Sequence, residues 1–290
     1  MTTLSHFDIH QPATTVEASQ MLAQYGEDAG IYAGGTELLL AMKHQALHYR
    51  HLIDLKVVPG LGSIAVRNGS LEIGATSTHH SIERSGIVRQ NQPALAEMES
   101  QVANVRVRST GTLGGNLCFA EPHSDPATLL LVLAGTVKIE SAAGAREIPV
   151  GELIGGAYAS NLQPGEILTK ITVPCAKPTH RSGYLKLQIH ERPTLGLGLW
   201  LDTPDDGHTF TAARVAVGCV CPFPTRGLDA EKLLTGSRAD VEKRLPQAAD
   251  AMANAAELMD DHEGSAEYKR HLIEVFLRRV FRKALGEPAA

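Results

Sequence analysis

The chain has 290 residues, of which 43% are hydrophobic, and it carries a formal net charge of −5 at pH 7. This length is enough to bury a sizeable core, spread over two or three lobes. The 27 lysines and arginines are scattered rather than clustered, which argues against nucleic acid as a partner. No stretch approaches the roughly 18 consecutive apolar residues of a membrane span, and the N-terminus lacks a secretory pattern. We therefore expect a cytoplasmic protein with no membrane span.

Cysteine usage argues against a metal centre built by this chain alone. Its four cysteines form no C-x-x-C pair and show no His/Cys spacing typical of zinc or iron–sulfur sites. Cys219 and Cys221 lie two residues apart in the strand-like run RVAVGCVCP, so their side chains share a face. This pattern predicts buried free thiols.

Residues 1–55 predict a compact βαβ-like lobe. Apolar residues recur at helical spacing over 16–25, after Thr14 and Thr15 as candidate caps, and 30–33 and HLIDL read as short strands. Between those strands, Gly34 and Gly35 open a second helix. The start of a helix presents free N–H groups and a partial positive charge, which suit a pyrophosphate.

Residues 56–177 predict a second lobe in which strands and helices mix without regular alternation. SIAVR and LEIGA form a hairpin around the turn Asn68-Gly69, and a second hairpin and the strand GEILTKITVP follow later. HHSIERSGIV and ALAEMESQVAN predict helices on either side of Pro93, and His79 is an ordinary polar residue at a helix start. This mixture indicates the α+β class.

A second glycine-rich segment, VANVRVRSTGTLGGNLCFAEPHSDP, lies within this lobe. Gly111, Gly114 and Gly115 remove side chains where the backbone bends or a ligand lies against it, and the segment ends at Asp125, the acidic cap of the helix ATLLLVLAG. Such a loop offers N–H donors to phosphate or sugar oxygens, although a sharp turn between a helix and a strand explains the composition equally well. Neither glycine segment fits the Rossmann or P-loop pattern.

Past residue 177, the runs GYLKLQI, LGLGLWL and FTAARVAVG predict three strands. Helices follow these strands, and the last of them spans 267–285. Three strands followed by helices indicate a sheet with helices on one face. The predicted domains are therefore 1–177, with lobes at about 1–55 and 56–177, and 178–290.

The pair AGGTELL and TLGGNLCFAEPHSD resembles the FAD-binding medium subunit of the molybdenum hydroxylases, the family of the carbon monoxide dehydrogenase medium subunit and the xanthine dehydrogenase flavin domain. The resemblance extends over nearly the whole chain through IGATSTHHSIE, GEILTKITVP, GYLKL and AVGCVCPFPTRGLDAEKLLTG. It implies an α+β fold, with a two-lobed FAD-binding domain of the molybdopterin dehydrogenase type. The C-terminal domain would be a three-stranded antiparallel sheet with helices.

The resemblance also assigns roles to matching positions, with no catalytic residue and no metal ligand among them. It places Val102 and Leu168 at the adenine or ring cavity, Asp125 at the ribityl chain or a nearby group, and Lys186 near the flavin. Two sets would wrap the FAD pyrophosphate, one from each lobe: Ala33, Gly34, Gly35, Thr36 and Glu37, and Thr112, Leu113, Gly114, Gly115 and Asn116. Some members carry an aromatic residue over the flavin ring just after the lysine, where this chain has Pro193, Thr194 and Leu195.

The function implied by this resemblance is electron transfer through FAD in a molybdenum-containing hydroxylase or dehydrogenase. The chain would take electrons from the [2Fe–2S] clusters of a small subunit and pass them to NAD, a quinone or oxygen. A molybdopterin-binding large subunit would complete a heterotrimer, which would itself dimerise. Two other functions stay open at this point, a self-contained FAD-dependent oxidoreductase and a non-enzymatic nucleotide-binding assembly module.

Overall fold

The computed structural model describes residues 4–189 and 192–288. Its main sheets lie in three successive parts of the chain, each with its own hydrophobic cluster. Helices and strands mix without a repeating βα unit, which confirms the α+β class. The domain boundary between 177 and 178 stays a prediction, and the outermost residues of the predicted domains, 1–3 and 289–290, lie outside the described residues.

The first part is a small lobe with a parallel sheet in the order β1-β3-β2. The predicted βαβ arrangement is confirmed, and β1 adds a third strand on the other side of β3. Thr14 caps the first helix, since its side chain accepts a hydrogen bond from the N–H of Glu17. The elements are β1 (Asp8–His10), α1 (Thr15–Tyr25), β2 (Ala29–Tyr32), α2 (Leu38–Lys43) and β3 (His51–Asp54).

The second part surrounds a five-stranded antiparallel sheet in the order β4-β5-β10-β6-β7. Both predicted hairpins are present, at Asn68-Gly69 and at Gly144. The elements are β4 (Ile64–Arg67), β5 (Ser70–Gly74), α3 (His79–Arg84), α4 (Gly86–Asn91), α5 (Pro93–Ser100), α6 (Val105–Thr110), α7 (Leu113–Phe119), α8 (Asp125–Val132), β6 (Thr136–Ser141), β7 (Gly144–Pro149), α9 (Val150–Leu153), β8 (Ile154–Gly156), β9 (Ala159–Ser160) and β10 (Ile167–Pro174).

Three sequence expectations for this second part were wrong. The segment 79–88 forms two helices, α3 and α4, because Ser85 takes extended angles and caps α4 through its hydroxyl group. The second glycine segment is not a loop, since its residues from Leu113 onward form the helix α7. Asp125 is the first residue of α8 rather than its cap, a position that belongs to Ser124.

The third part contains an antiparallel sheet in the order β11-β12-β14-β15. The three predicted strands are confirmed, and the two-residue β15 extends them. The long helices α11 and α12 form the apolar cluster of this part together with the sheet. The elements are β11 (His180–Gln188), β12 (Pro193–Asp202), β13 (Thr209–Phe210), β14 (Ala212–Gly218), β15 (Thr225–Arg226), α10 (Leu228–Leu233), β16 (Gly236–Ser237), α11 (Arg238–Ala255) and α12 (Ala266–Ala284).

Candidate functional site

A cavity of about 310 Å³ lies where the three parts of the chain meet. Both glycine segments, the end of β11 and the start of β12 line it. Its size falls within the range of small-molecule and cofactor sites. Of the fourteen residues predicted to contact a cofactor, thirteen line this cavity: Ala33, Gly34, Gly35, Thr36, Glu37, Val102, Thr112, Gly114, Gly115, Asn116, Asp125, Leu168 and Lys186.

The fourteenth residue, Leu113, does not line the cavity, and its assignment to FAD stays a prediction. Its side chain is fully buried in the hydrophobic cluster of the second part and does not line the cavity. Its backbone N–H donates to the carbonyl oxygen of Ser77 at 3.0 Å. Leu113 therefore anchors the start of α7, and neither its side chain nor its N–H is available to a ligand.

The first glycine segment is an open turn that leads from β2 into α2. Gly35 has a φ of 69°, a left-handed conformation that favours glycine, and a Cβ there would lie 2.5 Å from the Tyr32 ring. Among the residues that the structure describes, the N–H groups of Gly34, Gly35 and Thr36 have no hydrogen-bond partner. Because buried backbone donors are almost always paired, free N–H groups at a cavity wall indicate a place for an anion.

The second glycine segment differs, because the donors of its first helical turn are occupied within the chain. The N–H of Gly114 donates to Ala75 at 3.0 Å, and the N–H of Asn116 donates to the carbonyl oxygen of Thr112 at 2.9 Å. Thr112 caps α7, since its hydroxyl oxygen accepts from the N–H of Gly115 at 3.1 Å. These N–H groups are bound within the chain, and the assignment of this segment to the FAD pyrophosphate stays a prediction.

Close packing explains the need for glycine at position 114. A Cβ there would lie 2.6 Å from the carbonyl oxygen of Ala75, well inside contact distance. At Gly115, a Cβ would meet only the Thr112 hydroxyl group, at 2.8 Å. Gly114 thus lets α7 approach the strand end at Ala75, and its lack of a side chain serves the packing of the lobe.

Asp125 is buried at the base of the cavity and joins the second part of the chain to the third. It accepts hydrogen bonds from the hydroxyl group of Tyr184 at 2.7 Å and from Lys186 Nζ at 2.9 Å. Lys186 also donates to the carbonyl oxygen of Gln101 at 2.6 Å. Burial raises the pKa of Asp125 more than Lys186 and Tyr184 lower it, and burial also raises the pKa of Tyr184 well above its ordinary value.

A guanidinium group links all three parts at the edge of the cavity. Arg192 lies 3.1 Å from Glu37 of the first part and 3.1 Å from Glu121 of the second. Glu121 also contacts His123 Nδ1 at 3.0 Å and the Tyr158 hydroxyl group at 3.3 Å. Burial alone would raise the pKa of Glu121, but the hydrogen bond from His123 and the charges of His123 and Arg192 lower it overall.

Cys118 and Phe119 also line the cavity, from the later turns of α7. Burial raises the pKa of the Cys118 thiol to about 12, so it is held as the thiol and is a poor nucleophile. Cys219 and Cys221 are buried and free, as predicted.

The sequence analysis did not identify the buried pair of His79 and Glu99. His79 lines the cavity, and its Nδ1 lies 2.6 Å from Glu99 Oε2. Twenty residues separate the two in the chain, so no local spacing connects them. Arg192 and Glu121 were also missed, because in the sequence alone each is indistinguishable from an ordinary charged surface residue.

Comparison with known protein families identifies the chain. Residues 5–176 match the model of the FAD binding domain in molybdopterin dehydrogenase. Residues 187–284 match the CO dehydrogenase flavoprotein C-terminal domain. The chain belongs to the FAD-binding medium subunits of the molybdenum hydroxylases. Its cofactor is FAD, and it is an oxidoreductase subunit.

Relatives of this medium subunit match along nearly their whole length. The carbon monoxide dehydrogenase medium chain of Afipia carboxidovorans is 31% identical over 281 residues, with 96% of each chain covered. The nicotine 6-hydroxylase medium subunit of Paenarthrobacter nicotinovorans is 30% identical, with 94% of this chain and 95% of the relative covered. The xanthine dehydrogenase FAD-binding subunit of Escherichia coli O157:H7 is 26% identical, with 96% and 95% covered.

Solved structures of such subunits have the same fold as this medium subunit. A chain of Cu,Mo-CO dehydrogenase superposes with a TM-score of 0.92 at 29% identity, covering 99% of this chain and all of that chain. A chain of quinoline 2-oxidoreductase from Pseudomonas putida 86 gives a TM-score of 0.90 at 28% identity, with 98% of each covered. Across residues 4–189 and 192–288, no helix is long and apolar enough to cross a membrane.

Proposed function

We propose that this medium subunit carries electrons from the [2Fe–2S] clusters of a partner small subunit, through FAD, to an external acceptor such as NAD, a quinone or oxygen. The observation that supports this most is the cavity shared by all three parts of the chain, with unpaired N–H groups on one wall. Two [2Fe–2S] clusters need eight ligands, and the four cysteines of this chain cannot provide them. The clusters therefore belong to another subunit.

The residues present fit FAD. The free N–H groups of Gly34, Gly35 and Thr36 match the oxygens of a diphosphate, an anion that binds readily to clustered backbone donors. The Asn116 side chain lines the cavity while its Oδ1 accepts from Ser124 at 2.6 Å, which directs its amide group. Val102 and Leu168 would supply apolar surface for a ring, and Asp125 and Lys186 would hold ribityl hydroxyl groups.

When bound, the flavin supplies the redox chemistry, and the protein contributes position and electrostatics. Asp125 and Lys186 neutralise one another, so this end of the cavity can accept a hydroxyl-rich chain without a large charge imbalance. Arg192 joins two edges of the cavity through its ion pairs with Glu37 and Glu121. No described residue of the cavity needs to act on an organic substrate, because hydroxylation belongs to the molybdenum subunit.

The partners are a molybdopterin-binding large subunit and a [2Fe–2S] small subunit, in a heterotrimer that dimerises. Support comes from the relatives, which are named as medium chains or medium subunits. The substrates in their names differ, carbon monoxide in one and nicotine in the other, which supports a medium subunit that does not by itself set the substrate. A cytoplasmic location stays a prediction.

The test compares the isolated chain with the complex purified through a tag on this chain. We expect both to show flavin absorbance bands and to release FAD on acid precipitation, since Cys118 is not a reactive thiolate. Only the complex should contain molybdenum and iron and oxidise an organic substrate. Reoxidation of the reduced flavin by NAD, a quinone or oxygen then identifies the acceptor. Substrate turnover by the isolated chain would contradict the proposal.

A further inference from the structure

The second glycine segment provides few hydrogen-bond donors at the proposed diphosphate site. The N–H groups of residues 113–116 are all occupied within the chain, so this wall offers few backbone donors. Two of the basic side chains at the cavity are also committed. Lys186 is bound to Asp125 and to Gln101, and Arg192 is bound to Glu37 and Glu121.

His79 lies at the junction of the two glycine segments. Its N–H donates to the carbonyl oxygen of Gly111 at 3.0 Å, and a bridge between Thr78 and Thr112 fixes the start of α3 against this segment. A Cβ on Gly111 would lie 3.3 Å from His79 Cδ2 and 3.5 Å from the Thr36 hydroxyl oxygen. The His79 ring and Thr36 therefore lie on either side of one small space beside Gly111.

Glu99 fixes the orientation of that ring. The carboxylate lies 2.6 Å from His79 Nδ1, and both side chains are almost completely buried, at 0% and 2% exposure. Glu99 Oε1 has no hydrogen-bond partner within the described part of the chain. A buried carboxylate needs hydrogen-bond partners, and His79 Nδ1 is placed to provide one. With Nδ1 bound to Glu99, Nε2 is the remaining hydrogen-bonding atom of the ring, and it adjoins Cδ2.

We propose that His79, oriented by Glu99, is a phosphate-binding residue of the FAD site and donates a hydrogen bond from Nε2 to the diphosphate. This inference rests on the proposed position of the diphosphate beside Gly34, Gly35 and Thr36. One wall then supplies free backbone donors, and the other supplies the His79 ring in place of the occupied N–H groups of α7. Glu99 holds Nδ1, which leaves Nε2 for the phosphate.

The experiment measures dissociation constants of the flavin-free protein for FAD and for riboflavin, which lacks phosphate, by fluorescence quenching. His79→Asn shortens the side chain and removes the Nε2 donor. It should weaken FAD binding at least tenfold, as expected for a lost hydrogen bond to a charged group, and change riboflavin binding less than twofold. Glu99→Gln keeps an acceptor for Nδ1 but removes the charge, and should weaken FAD binding by about threefold, again without affecting riboflavin.

His80→Asn is the matched control, because His80 is the next residue on the same helix and its side chain is 46% exposed. It should leave both constants unchanged. If His79→Asn and Glu99→Gln lose FAD and riboflavin affinity equally, the pair has a structural role and the inference is overturned. Unchanged FAD affinity in these variants would also overturn it. If His79→Asn does not fold, Glu99→Gln decides alone. Failure of the parent protein to bind FAD would instead contradict the proposed function itself.

Discussion

The two glycine segments on either side of the cavity have similar compositions but different structures. The first, Gly34 to Glu37, is an open turn whose N–H groups at Gly34, Gly35 and Thr36 have no partner among the described residues. In the second, residues 113–119 form a helix whose first N–H groups bind Ser77, Ala75 and Thr112. Glycine at Gly35 permits a left-handed backbone, whereas glycine at Gly114 permits close packing.

This difference shows that a glycine-rich composition does not by itself indicate a ligand loop. A glycine can be required because a ligand approaches the backbone or because another part of the same chain does. The atoms that an added Cβ would meet show which glycines pack against the chain itself, and both Gly34 and Gly114 do so. Substitutions at such positions should affect folding, and those on the cavity wall should affect flavin affinity as well.

A large effect on folding should come from Gly114→Ala. Its Cβ would lie 2.6 Å from the Ala75 carbonyl oxygen, and both groups belong to tightly packed backbone. We expect the free energy of unfolding of the flavin-free protein to fall by about 2–3 kcal/mol, the usual range for overpacking. Urea denaturation measures it. A flavin-free protein as stable as the parent would show that Gly114 serves the ligand after all.

Gly34→Ala should act on flavin affinity as well as on folding. A Cβ at Gly34 would overlap the Thr110 carbonyl oxygen and lie 2.7 Å from Gly111 Cα, so it would push the first segment away from the second. We expect FAD affinity to fall by at least about tenfold, equivalent to about 1.4 kcal/mol, because the cavity is formed by both segments. Fluorescence titration of the flavin-free protein gives the value. The matched control is Gly86→Ala, since a Cβ there meets no atom within 4 Å and should change neither affinity nor stability.

A smaller, pH-dependent effect should come from Glu121→Gln, which breaks the Arg192 link between the two segments. The pKa of Glu121 is lowered below its ordinary value of 4.5, so its charged form stabilises the folded state above that pH. This contribution is lost as the pH falls through the lowered pKa. Because Arg192 is half exposed, we expect a cost of only about 1 kcal/mol near neutral pH. The difference in unfolding free energy from the parent should therefore shrink below pH 4.5, and a constant difference would contradict the assignment.

The smallest effect should come from Gly115→Ala. The added Cβ meets only the Thr112 hydroxyl group at 2.8 Å, and alanine is favoured over glycine in a helix by roughly 0.5–1 kcal/mol. The gain in helix stability and the loss from the disturbed Thr112 cap should nearly cancel. The free energy of unfolding and the FAD affinity should therefore stay close to those of the parent. Thermal unfolding and flavin titration check this. A tenfold loss of FAD affinity would show that the ligand lies against Gly115. The two glycine segments would then both contact the ligand.

Much of the fold could be predicted from the sequence. The Asn68-Gly69 hairpin, the three strands after residue 177 and the long helix near 267–285 all follow from strong local signals, and each is confirmed. The resemblance to the medium subunits is confirmed as well, because it depended on several segments in a fixed order. The assignment of individual residues to FAD stays a prediction, although all of those residues except Leu113 line one cavity.

The sequence by itself determined the α+β class through the periodicity of its segments, and the family and the cofactor through the resemblance that several ordered segments carry. These are local properties of the chain that do not depend on how the lobes meet. Only the tertiary structure decided which N–H groups are free, why Gly114 lacks a side chain, and which charges compensate one another. Glu99 is twenty residues from His79, and Arg192 is more than seventy from Glu121, yet each pair is in contact. Such contacts depend on how the backbone folds in space, and no local pattern in the chain encodes them.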